Sequence, residues 1–261
     1  MDLGLKGKVA LVMASSRGLG QAMAISLARE GVRVAVTGRN AEGLKKSVEL
    51  IEAVGGEALA LSWDLSDSSV IDALVTKVEQ ELGPIDILIN NTGGPPPTLA
   101  TGQDPALWQK SFNDMVLSLI SITDRVLPGM RQRKWGRIIT STTSGAIAPI
   151  KNLAISNTLR AALLAWSKTL AAEVAAEGIT VNVIMPGRVA TDRLRQLDEA
   201  RAQRENISYD SVVQASLKQI PMGRYGDPQE YGDTATFLAS QNASFITGSV
   251  IRVDGGQIQA I

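Results

Sequence analysis

The sequence predicts an α/β protein in which helices cover both faces of a doubly wound, seven-stranded parallel sheet. Short apolar segments and helical segments alternate along almost all of the 261 residues. This order is typical of β-α-β units joined by right-handed crossovers. The apolar segments are hydrophobic at nearly every position, as expected of strands that are covered on both faces. A glycine-rich turn between the first apolar segment and the first helical segment fits the same architecture.

The first strand is predicted over residues 8–14, and the first helix over residues 21–30, where apolar residues recur at helical spacing. The later strands are predicted over 32–37, 58–62, 85–90, 137–141, 179–185 and 250–253. Helices are predicted between them over 41–54, 68–82, 105–133, 153–176 and 228–240. No Pro-, Gly- or Ser-rich linker and no internal repeat divides the chain, so we expect a single domain over residues 1–261.

Residues 191–221 interrupt the alternation with a polar, helix-prone stretch that follows the end of a predicted strand. Ligands of open α/β sheets bind at the carboxyl ends of the strands. The stretch is therefore predicted to form a lid over a substrate. A solvated surface insertion is the alternative.

Composition narrows the classes of function. Lys plus Arg and Asp plus Glu both number 26, so we expect no nucleic-acid partner and no anionic membrane surface as partner. The chain has neither cysteine nor histidine, so no disulfide, no thiolate chemistry and no metal site are expected. No apolar stretch approaches the ~18 residues of a membrane span. Residues 1–8 do not resemble a signal peptide, and we expect a soluble, cytoplasmic protein.

The glycine-rich turn predicts a phosphate-binding site. It reads Ser15-Ser16-Arg17-Gly18-Leu19-Gly20, with a strand before it and a helix after it. Glycines let the backbone approach a pyrophosphate, and the helix N-terminus offers free N–H groups and the positive end of its dipole. We expect Ala14, just before the turn, to have a negative φ, because a positive φ strains a residue that carries a Cβ.

The end of the second predicted strand indicates the cofactor. An acidic residue there would hold the ribose 2′-hydroxyl of NAD, but the chain reads Thr37-Gly38-Arg39-Asn40. Arg39 and Arg17 together can grip a 2′-phosphate, since guanidinium groups suit bidentate phosphate contacts. The sequence thus favours NADP(H), with NAD(H) as the alternative. Either arginine taken alone is equally compatible with a surface cation.

Further short motifs follow the turn in a fixed order up to residue 256. They are Asp64-Leu65, Asn90-Asn91-Thr92-Gly93, Pro186-Gly187-Arg188-Val189-Ala190-Thr191, Phe245-Ile246-Thr247-Gly248 and Val253-Asp254-Gly255-Gly256. In this order they resemble the short-chain dehydrogenase/reductase family, and the beta-ketoacyl-ACP reductase-like members in particular. The resemblance implies a Rossmann-like domain with a cofactor site formed by the turn residues 15–20, Arg39, Asn40, Asp64, Leu65, Asn91, Thr92, Gly93, Pro186, Gly187, Val189 and Thr191. Met13 and Ala14 depart from the Thr-Gly that opens the turn in this family.

The catalytic tetrad of this family, which is Asn, Ser, Tyr and Lys, is altered in the chain. Alignment of the motifs puts Met115 at the Asn position, Thr143 at the Ser position, Ser156 at the Tyr position and Arg160 at the Lys position. The resemblance implies that Thr143 and Ser156 bind the substrate oxygen and that Arg160 holds the nicotinamide ribose. Ser156 and Arg160 are four residues apart, so on a helix they share a face.

The altered tetrad contains no ready proton donor. A tyrosine can be tuned from its pKa near 10 toward neutrality by a neighbouring cation, whereas a serine hydroxyl is a far weaker acid. The chain also has no histidine to activate a serine, and Arg160 stays charged at neutral pH. The candidate proton sources are Tyr209 in the lid segment, Lys151, and a water held by Thr143 and Ser156.

We therefore expect an enzyme that transfers a hydride between NADP(H) and a carbonyl or alcohol, on a 3-oxoacyl-type substrate or a small ketone. The alternative is a dinucleotide-binding homologue without turnover, acting as sensor or scaffold, because a missing acid costs ~10²–10⁴-fold in rate. The helix over 153–176 is apolar around much of its circumference, and the last strand would be a sheet edge. With the family resemblance, these features imply a homotetramer.

Overall fold

Seven parallel strands form one sheet in the computed structural model, which describes residues 1–259. The strands are β1 (Val9–Val12), β2 (Arg33–Gly38), β3 (Ala58–Ser62), β4 (Ile87–Asn90), β5 (Gly136–Ser141), β6 (Ile179–Pro186) and β7 (Val250–Val253). Their order across the sheet is β3-β2-β1-β4-β5-β6-β7. The chain therefore builds outward from β1 in one direction and then returns to build outward from β4 in the other, and the predicted doubly wound fold is confirmed.

Helices cover both faces of the sheet, as expected for strands that are apolar throughout. They are α1 (Gly18–Arg29), α2 (Ala41–Ala53), α3 (Ile71–Glu81), α4 (Pro105–Phe112), α5 (Ser118–Arg133), α6 (Ala154–Val174), α7 (Asp192–Glu205), α8 (Tyr209–Leu217) and α9 (Pro228–Ala239). Buried side chains of α3, α5 and α6 form the core on one face. Those of α1, α2 and α9 form the core on the other face.

The strand register puts a crevice beside the end of β1. Val12 pairs with Val36 of β2 on one side, and Ile89 of β4 pairs with it on the other. The strand order reverses between β1 and β4, and the carboxyl ends of β1, β2 and β4 meet at the same edge. Open parallel sheets bind their ligands at such a reversal.

The helix predicted over residues 105–133 is interrupted. A π-helical turn, Asn113–Leu117, separates α4 from α5. Within this turn the hydroxyl of Ser118 donates to the carbonyl oxygen of Asp114 at 2.8 Å. A π-helical turn changes which residues share a helix face, so hydrophobic spacing alone could not locate it.

The polar stretch after β6 forms α7 and α8, which pack against each other. Side chains cap both helices: Thr191 accepts from the backbone N–H of Leu194 at 3.3 Å, and Ser208 accepts from Ser211 at 3.1 Å. In residues 1–259 no helix combines the length and the apolar character needed to cross a membrane.

Candidate functional site

Two hydroxyl groups hold the end of β1 against the end of β2. The buried Ser15 hydroxyl donates to the carbonyl oxygen of Val12 at 2.7 Å and accepts from the N–H of Thr37 at 2.9 Å. The Thr37 hydroxyl also donates to Val12, at 3.2 Å, and accepts from the N–H of Ala14 at 3.0 Å. Thr37 therefore supplies a hydroxyl beside the turn, in a chain whose own turn begins with Met13.

Our expectation for Ala14 is wrong, because its φ is +47° and not negative. Tertiary contacts hold this conformation. The side-chain amide of Asn91 donates to the carbonyl oxygens of Met13 and Ala14, at 3.3 and 3.2 Å. The carbonyl of Ala14 also lies where a Cβ on Gly20 would have to go. A glycine is therefore required at position 20. The left-handed conformation of Ala14 is stabilised by hydrogen bonds to Thr37 on β2 and to Asn91, which follows β4.

The N-terminus of α1 is open toward the crevice. Arg17 precedes the helix in an extended conformation, and its side chain makes no capping hydrogen bond to the first turn. A Cβ on Gly18 would have a methyl of Thr191 as its nearest neighbour, at 3.9 Å, and a Cβ on Gly93 would meet nothing within 4 Å. Free N–H groups beside open space are what a pyrophosphate needs, so the residues present fit a dinucleotide.

Basic side chains line a cleft of about 630 Å³ beside this turn. Its lining residues are Ser16, Arg17, Gly18, Gln21, Arg39, Asn40, Glu42, Gly43, Lys46 and Asp192. Three of them are cations and two are acids. Asn40 accepts from the N–H of Gly43 at 2.7 Å and so caps α2. Arg39 and Arg17 thus line one cleft, and their contact with a 2′-phosphate stays a prediction. Lys46 is a third cation of this cleft, and nothing in its own segment of the sequence marks it.

Asp64 and Leu65 follow the end of β3. The Asp64 carboxylate accepts from the N–H and the hydroxyl of Ser66, at 3.0 and 2.9 Å, and these bonds lower its pKa. Arg39 lies 3.7 Å from the same carboxylate and lowers the pKa further. Leu65 packs against the core on the α3 face. The carboxylate therefore stays ionised beside an exposed cation at the rim of the cleft.

The segment after β6 crosses the same edge of the sheet. Gly187 donates to the carbonyl oxygen of Val253 at 3.0 Å, and a Cβ at this position would come within 2.7 Å of Asp254. Val189 forms a parallel bridge with Gly226. Pro186 ends β6, and Thr191 caps α7 next to Gly18. The predicted cofactor residues of this segment thus lie across the crevice from α1.

Arg160 links the ends of β4 and β5. Its Nη1 donates to the carbonyl oxygen of Ser141 at 2.9 Å. Its Nη2 donates to the carbonyl and hydroxyl of Thr92, at 3.0 and 3.2 Å, and to the carbonyl of Gly93 at 3.3 Å. Arg160 is 6% exposed and has no acidic partner in residues 1–259. Burial lowers its pKa to about 10, so the guanidinium remains charged at neutral pH.

Thr143 and Ser156 carry the two hydroxyl groups that are predicted to bind the substrate oxygen. Thr143 is half-buried, and its hydroxyl accepts from the N–H of Gly145 at 3.4 Å. Ser156 is half-buried on α6, one turn before Arg160, and its hydroxyl has no hydrogen-bonding partner in the part of the chain that the structure describes. The carbonyl oxygen of the Asn157 side chain is also buried without a partner there.

Position 115, where the family tetrad has an asparagine, is buried among apolar side chains. Met115 lies in the π-helical turn, is 3% exposed and packs against Ile155 and Leu159 of α6. Asn113, two residues earlier, is exposed to solvent. An amide side chain that could anchor a relay water is therefore absent at position 115, and its neighbour in sequence does not replace it.

The three tyrosines of the chain have different surroundings. Tyr231 is fully buried and pairs with the hydroxyl of Ser141 at 2.9 Å, and burial raises its pKa. Tyr225 donates to the carboxylate of Asp198 at 2.8 Å. Tyr209 begins α8, is 38% exposed and has no hydrogen-bonding partner within residues 1–259. Tyr209 and the exposed Lys151 therefore have solvent access, and their catalytic role stays a prediction.

A buried carboxylate fastens α7 to the rest of the molecule. Asp198, 2% exposed, accepts from Arg188 at 2.7 Å and from the hydroxyl of Tyr225 at 2.8 Å. No local pattern marks this contact, because Asp198 lies within a helix of many charged residues.

A family model described as enoyl-(acyl carrier protein) reductase matches residues 13–257. The chain belongs to the short-chain dehydrogenase/reductase family. The motifs at 15–20, 90–93 and 186–191 had predicted this family, and the prediction is confirmed. In this short-chain dehydrogenase/reductase, the three motifs follow the carboxyl ends of β1, β4 and β6 at one edge of the sheet.

Relatives of this short-chain dehydrogenase/reductase extend over nearly its whole length. The 3-oxoacyl-(acyl-carrier-protein) reductase FabG of Pseudomonas aeruginosa is 36% identical over 256 residues, which cover 97% of this chain and 98% of the relative. The acetoacetyl-CoA reductase of Shinella zoogloeoides is 36% identical over 250 residues, covering 96% and 98%. The structure of L-sorbose reductase from Gluconobacter frateurii, complexed with NADPH and L-sorbose, superposes with a TM-score of 0.94 at 31% identity and full coverage of both chains.

Proposed function

We propose that the protein is an oxidoreductase that transfers a hydride between NADP(H) and a carbonyl or alcohol substrate. The observation that carries the proposal is the uncapped N-terminus of α1, which opens into a basic cleft at the point where the strand order reverses. The relatives named as reductases, and the sorbose reductase that is complexed with NADPH, support the same chemistry.

The cofactor site that we propose extends along the carboxyl edge of the sheet. Residues Ser15, Ser16, Arg17, Gly18, Leu19 and Gly20 would hold the pyrophosphate, and Arg17, Arg39 and Asn40 would hold the 2′-phosphate. Asp64 and Leu65 would contact the adenine. Asn91, Thr92, Gly93, Arg160, Pro186, Gly187, Val189 and Thr191 would frame the nicotinamide half. Bound NADPH would supply the hydride.

Cofactor preference can be tested with Arg39→Asp. An acid in place of this cation should weaken NADPH binding by about tenfold or more while leaving NADH binding unchanged or stronger, because the 2′-phosphate loses a charge-assisted contact. Lys45→Asp makes the same charge change on the exposed side of α2, outside the cleft, and should leave both affinities in place. Equal losses of affinity for NADPH and for NADH would contradict the assignment of Arg39 to the 2′-phosphate.

In the proposed reaction, Thr143 and Ser156 orient the substrate oxygen by hydrogen bonding. Arg160 contributes a fixed positive charge, because three backbone carbonyls already orient its guanidinium. That charge stabilises negative charge developing on the substrate oxygen and requires no proton transfer. The proton then comes from Tyr209, from Lys151 or from a water held by Thr143 and Ser156.

The substrate class that we propose is a 3-oxoacyl thioester or a small ketone, as in the named relatives. An α,β-unsaturated carbonyl should be tested beside them. Hydride addition to a conjugated double bond leaves an enolate, whose charge is shared between oxygen and carbon. Its oxygen is therefore less basic than that of an alkoxide and demands less from an acid beside that oxygen.

The decisive experiment follows NADPH consumption by the wild type and by Ser156→Tyr/Arg160→Lys across such a panel. Turnover by the wild type supports the proposal. If the wild type consumes no NADPH with any substrate while the double variant does, the proposal is overturned. Tyr209→Phe and Lys151→Ala then identify the proton source: loss of about tenfold or more in kcat assigns the residue, and retention by both leaves water.

The alternative function is that of a dinucleotide-binding protein without turnover, acting as sensor or scaffold. This alternative is favoured by the burial of Met115 among apolar side chains and by the bonds of Arg160 to backbone carbonyls, because neither residue can donate or relay a proton. Under this alternative the wild type binds NADPH with micromolar or better affinity but consumes none with any member of the panel.

We also propose a homotetramer. Ala162 and Ala165 leave the outer face of α6 exposed, and Phe245, beside the edge strand β7, is entirely exposed. Exposed apolar side chains on a helix face and beside a sheet edge favour contacts between subunits.

A further inference from the structure

Arg193 reaches from the lid segment across the crevice. It is the second residue of α7, and its Nη2 donates to the carbonyl oxygen of Pro95 at 3.2 Å. Pro95 belongs to the loop between β4 and α4. The guanidinium therefore joins α7 to the loop that follows β4.

The charge of Arg193 has no acidic partner among residues 1–259. Its Nε and Nη1 make no hydrogen bond within this part of the chain. Burial lowers its pKa, and the charge of Arg17 lowers it further. Arg193 in turn lowers the pKa of Arg160. Arg193 thus acts electrostatically on Arg17 and on Arg160, and no ion pair neutralises any of these three guanidinium groups within residues 1–259. A concentration of like charge of this kind favours a bound anion.

The position of α7 indicates which anion. Thr191, the cap of α7, is the nearest neighbour of a Cβ built on Gly18, at 3.9 Å. The first turns of α1 and α7 therefore face each other across a narrow gap, with Arg17 on one side and Arg193 on the other. The free N–H groups of α1 and the first turn of α7, which carries Arg193, thus border the same gap.

We propose that Arg193 binds the pyrophosphate of the dinucleotide from the lid side and so couples cofactor binding to the position of α7. The inference rests on the proposed function, since it requires that the cofactor be a dinucleotide. The adenosine 2′-phosphate end belongs to Arg39, which follows β2 and lines the cleft together with Asn40 and Lys46. A carboxylate on the substrate is the alternative ligand, but the first turn of α7, whose cap Thr191 lies next to Gly18 at the N-terminus of α1, favours the pyrophosphate.

The test measures binding by fluorescence titration of NADPH and of adenosine 2′-monophosphate, which has no pyrophosphate. Arg193→Gln should weaken NADPH binding by about tenfold to hundredfold, the range for a lost hydrogen bond to a charged group. Affinity for adenosine 2′-monophosphate should not change. Arg195→Gln is the matched control, because Arg195 is two residues further along α7, exposed and paired with Glu199, and it should change neither affinity.

A second readout follows the lid itself. NADPH should slow amide hydrogen exchange across α7 in the wild type and in Arg195→Gln, and it should slow this exchange far less in Arg193→Gln. Arg193→Lys keeps the charge without the planar fork and should lie between the two. This conservative variant also serves if Arg193→Gln folds poorly.

Each outcome decides a separate question. NADPH affinity within about twofold of wild type in Arg193→Gln, with normal binding in the wild type, overturns the pyrophosphate contact and leaves the proposed function standing. An unchanged NADPH affinity together with a raised KM for an acidic substrate also overturns it and assigns Arg193 to the substrate. If the wild type fails to bind NADPH at all, the proposed function fails, and this inference fails with it.

Discussion

The guanidinium of Arg160 is buried among carbonyl oxygens and not beside a carboxylate. Removing it from water is costly, as the lowering of its pKa to about 10 shows. Its bonds to Thr92, Gly93 and Ser141 offset that cost by tying the ends of β4 and β5 together. A lysine presents its donors from one point and cannot match the planar spread of this fork. The arginine therefore has a structural task that the Lys of the family tetrad does not imply.

Ala14 provides a prediction at the residue scale. Ala14→Gly should keep the free energy of unfolding within about 1 kcal/mol of wild type or raise it. Relief of the left-handed conformation, ~1–2 kcal/mol, offsets the extra backbone entropy of glycine in the unfolded chain, ~0.4–1 kcal/mol. Chemical denaturation measures the change.

Ala10→Gly is the control for this prediction. Ala10 is the same residue type, buried in the middle of β1, and glycine there should cost about 1 kcal/mol or more, because the strand loses a packed methyl and gains no relief of strain. Equal losses for the two variants would contradict the strain at Ala14.

The π-helical turn between α4 and α5 shows how a helix decides which side chain faces the site. It directs Met115 into the apolar contact with α6 and leaves Asn113 in solvent. Position 115 therefore cannot hold a relay water, both because its side chain is a methionine and because it packs in an apolar cluster. An asparagine introduced at this position would enter that cluster.

Met115→Asn should destabilise the protein by roughly 2–4 kcal/mol, because it buries an amide among Ile155 and Leu159 and removes an apolar side chain. Asn113→Ala, on the exposed side of the same turn, should stay within about 0.5 kcal/mol. Thermal and denaturant unfolding of both variants check this. A neutral Met115→Asn would mean that the site at position 115 admits water.

The contact of Asp198 with Arg188 and Tyr225 fixes α7 at the element scale. Tyr225→Phe should speed amide exchange of α7. The free energy of opening this helix should fall by the ~1.5–3 kcal/mol that a hydrogen bond to a charged group contributes. Thr234→Val, which removes an exposed hydroxyl bound to its own helix, should leave α7 unaffected. Unchanged exchange in Tyr225→Phe would show that Arg188 alone holds the helix.

This contact also has a pH dependence with a defined sign. Burial, and then the hydrogen bond to Asp198, raise the pKa of Tyr225 above its usual value of 10. A raised folded-state pKa means that the stabilisation is complete below pH 10 and is lost as the pH rises through the folded-state value. The difference in unfolding free energy between wild type and Tyr225→Phe should therefore be constant from pH 6 to 9 and shrink above pH 10. A difference that grows with pH would contradict the assignment.

At the scale of the whole molecule, the net charge is zero, yet cations gather at one edge of the sheet. Arg17, Arg160 and Arg193 lie at this edge without ion pairs in residues 1–259, whereas elsewhere the charges of α2, α3 and α7 pair along their own helices. A balanced composition is therefore compatible with a strongly electropositive crevice, since the field depends on where charges lie and not on their sum.

The exposed apolar surface makes a prediction at the same scale. Light scattering coupled to gel filtration should give the mass of a tetramer for the wild type. Phe245→Ser should reduce that mass, because it removes an entirely exposed aromatic ring beside β7. Met222→Ser, which removes another exposed apolar side chain in the loop before α9, is the control. A monomeric wild type would refute the tetramer.

The sequence by itself determined the fold class, the order of the strands along the chain, the phosphate-binding turn and the altered residues 115, 143, 156 and 160. These follow from local information, because periodicity, glycine spacing and strand-turn-helix order are written within short segments. The tertiary structure alone decided the positive φ of Ala14, the π-helical turn, the partners of Arg160 and the reach of Arg193 to Pro95. Each of these depends on groups far apart in the chain, and hydrogen bonds and charge between such groups have no signature in the sequence around either partner.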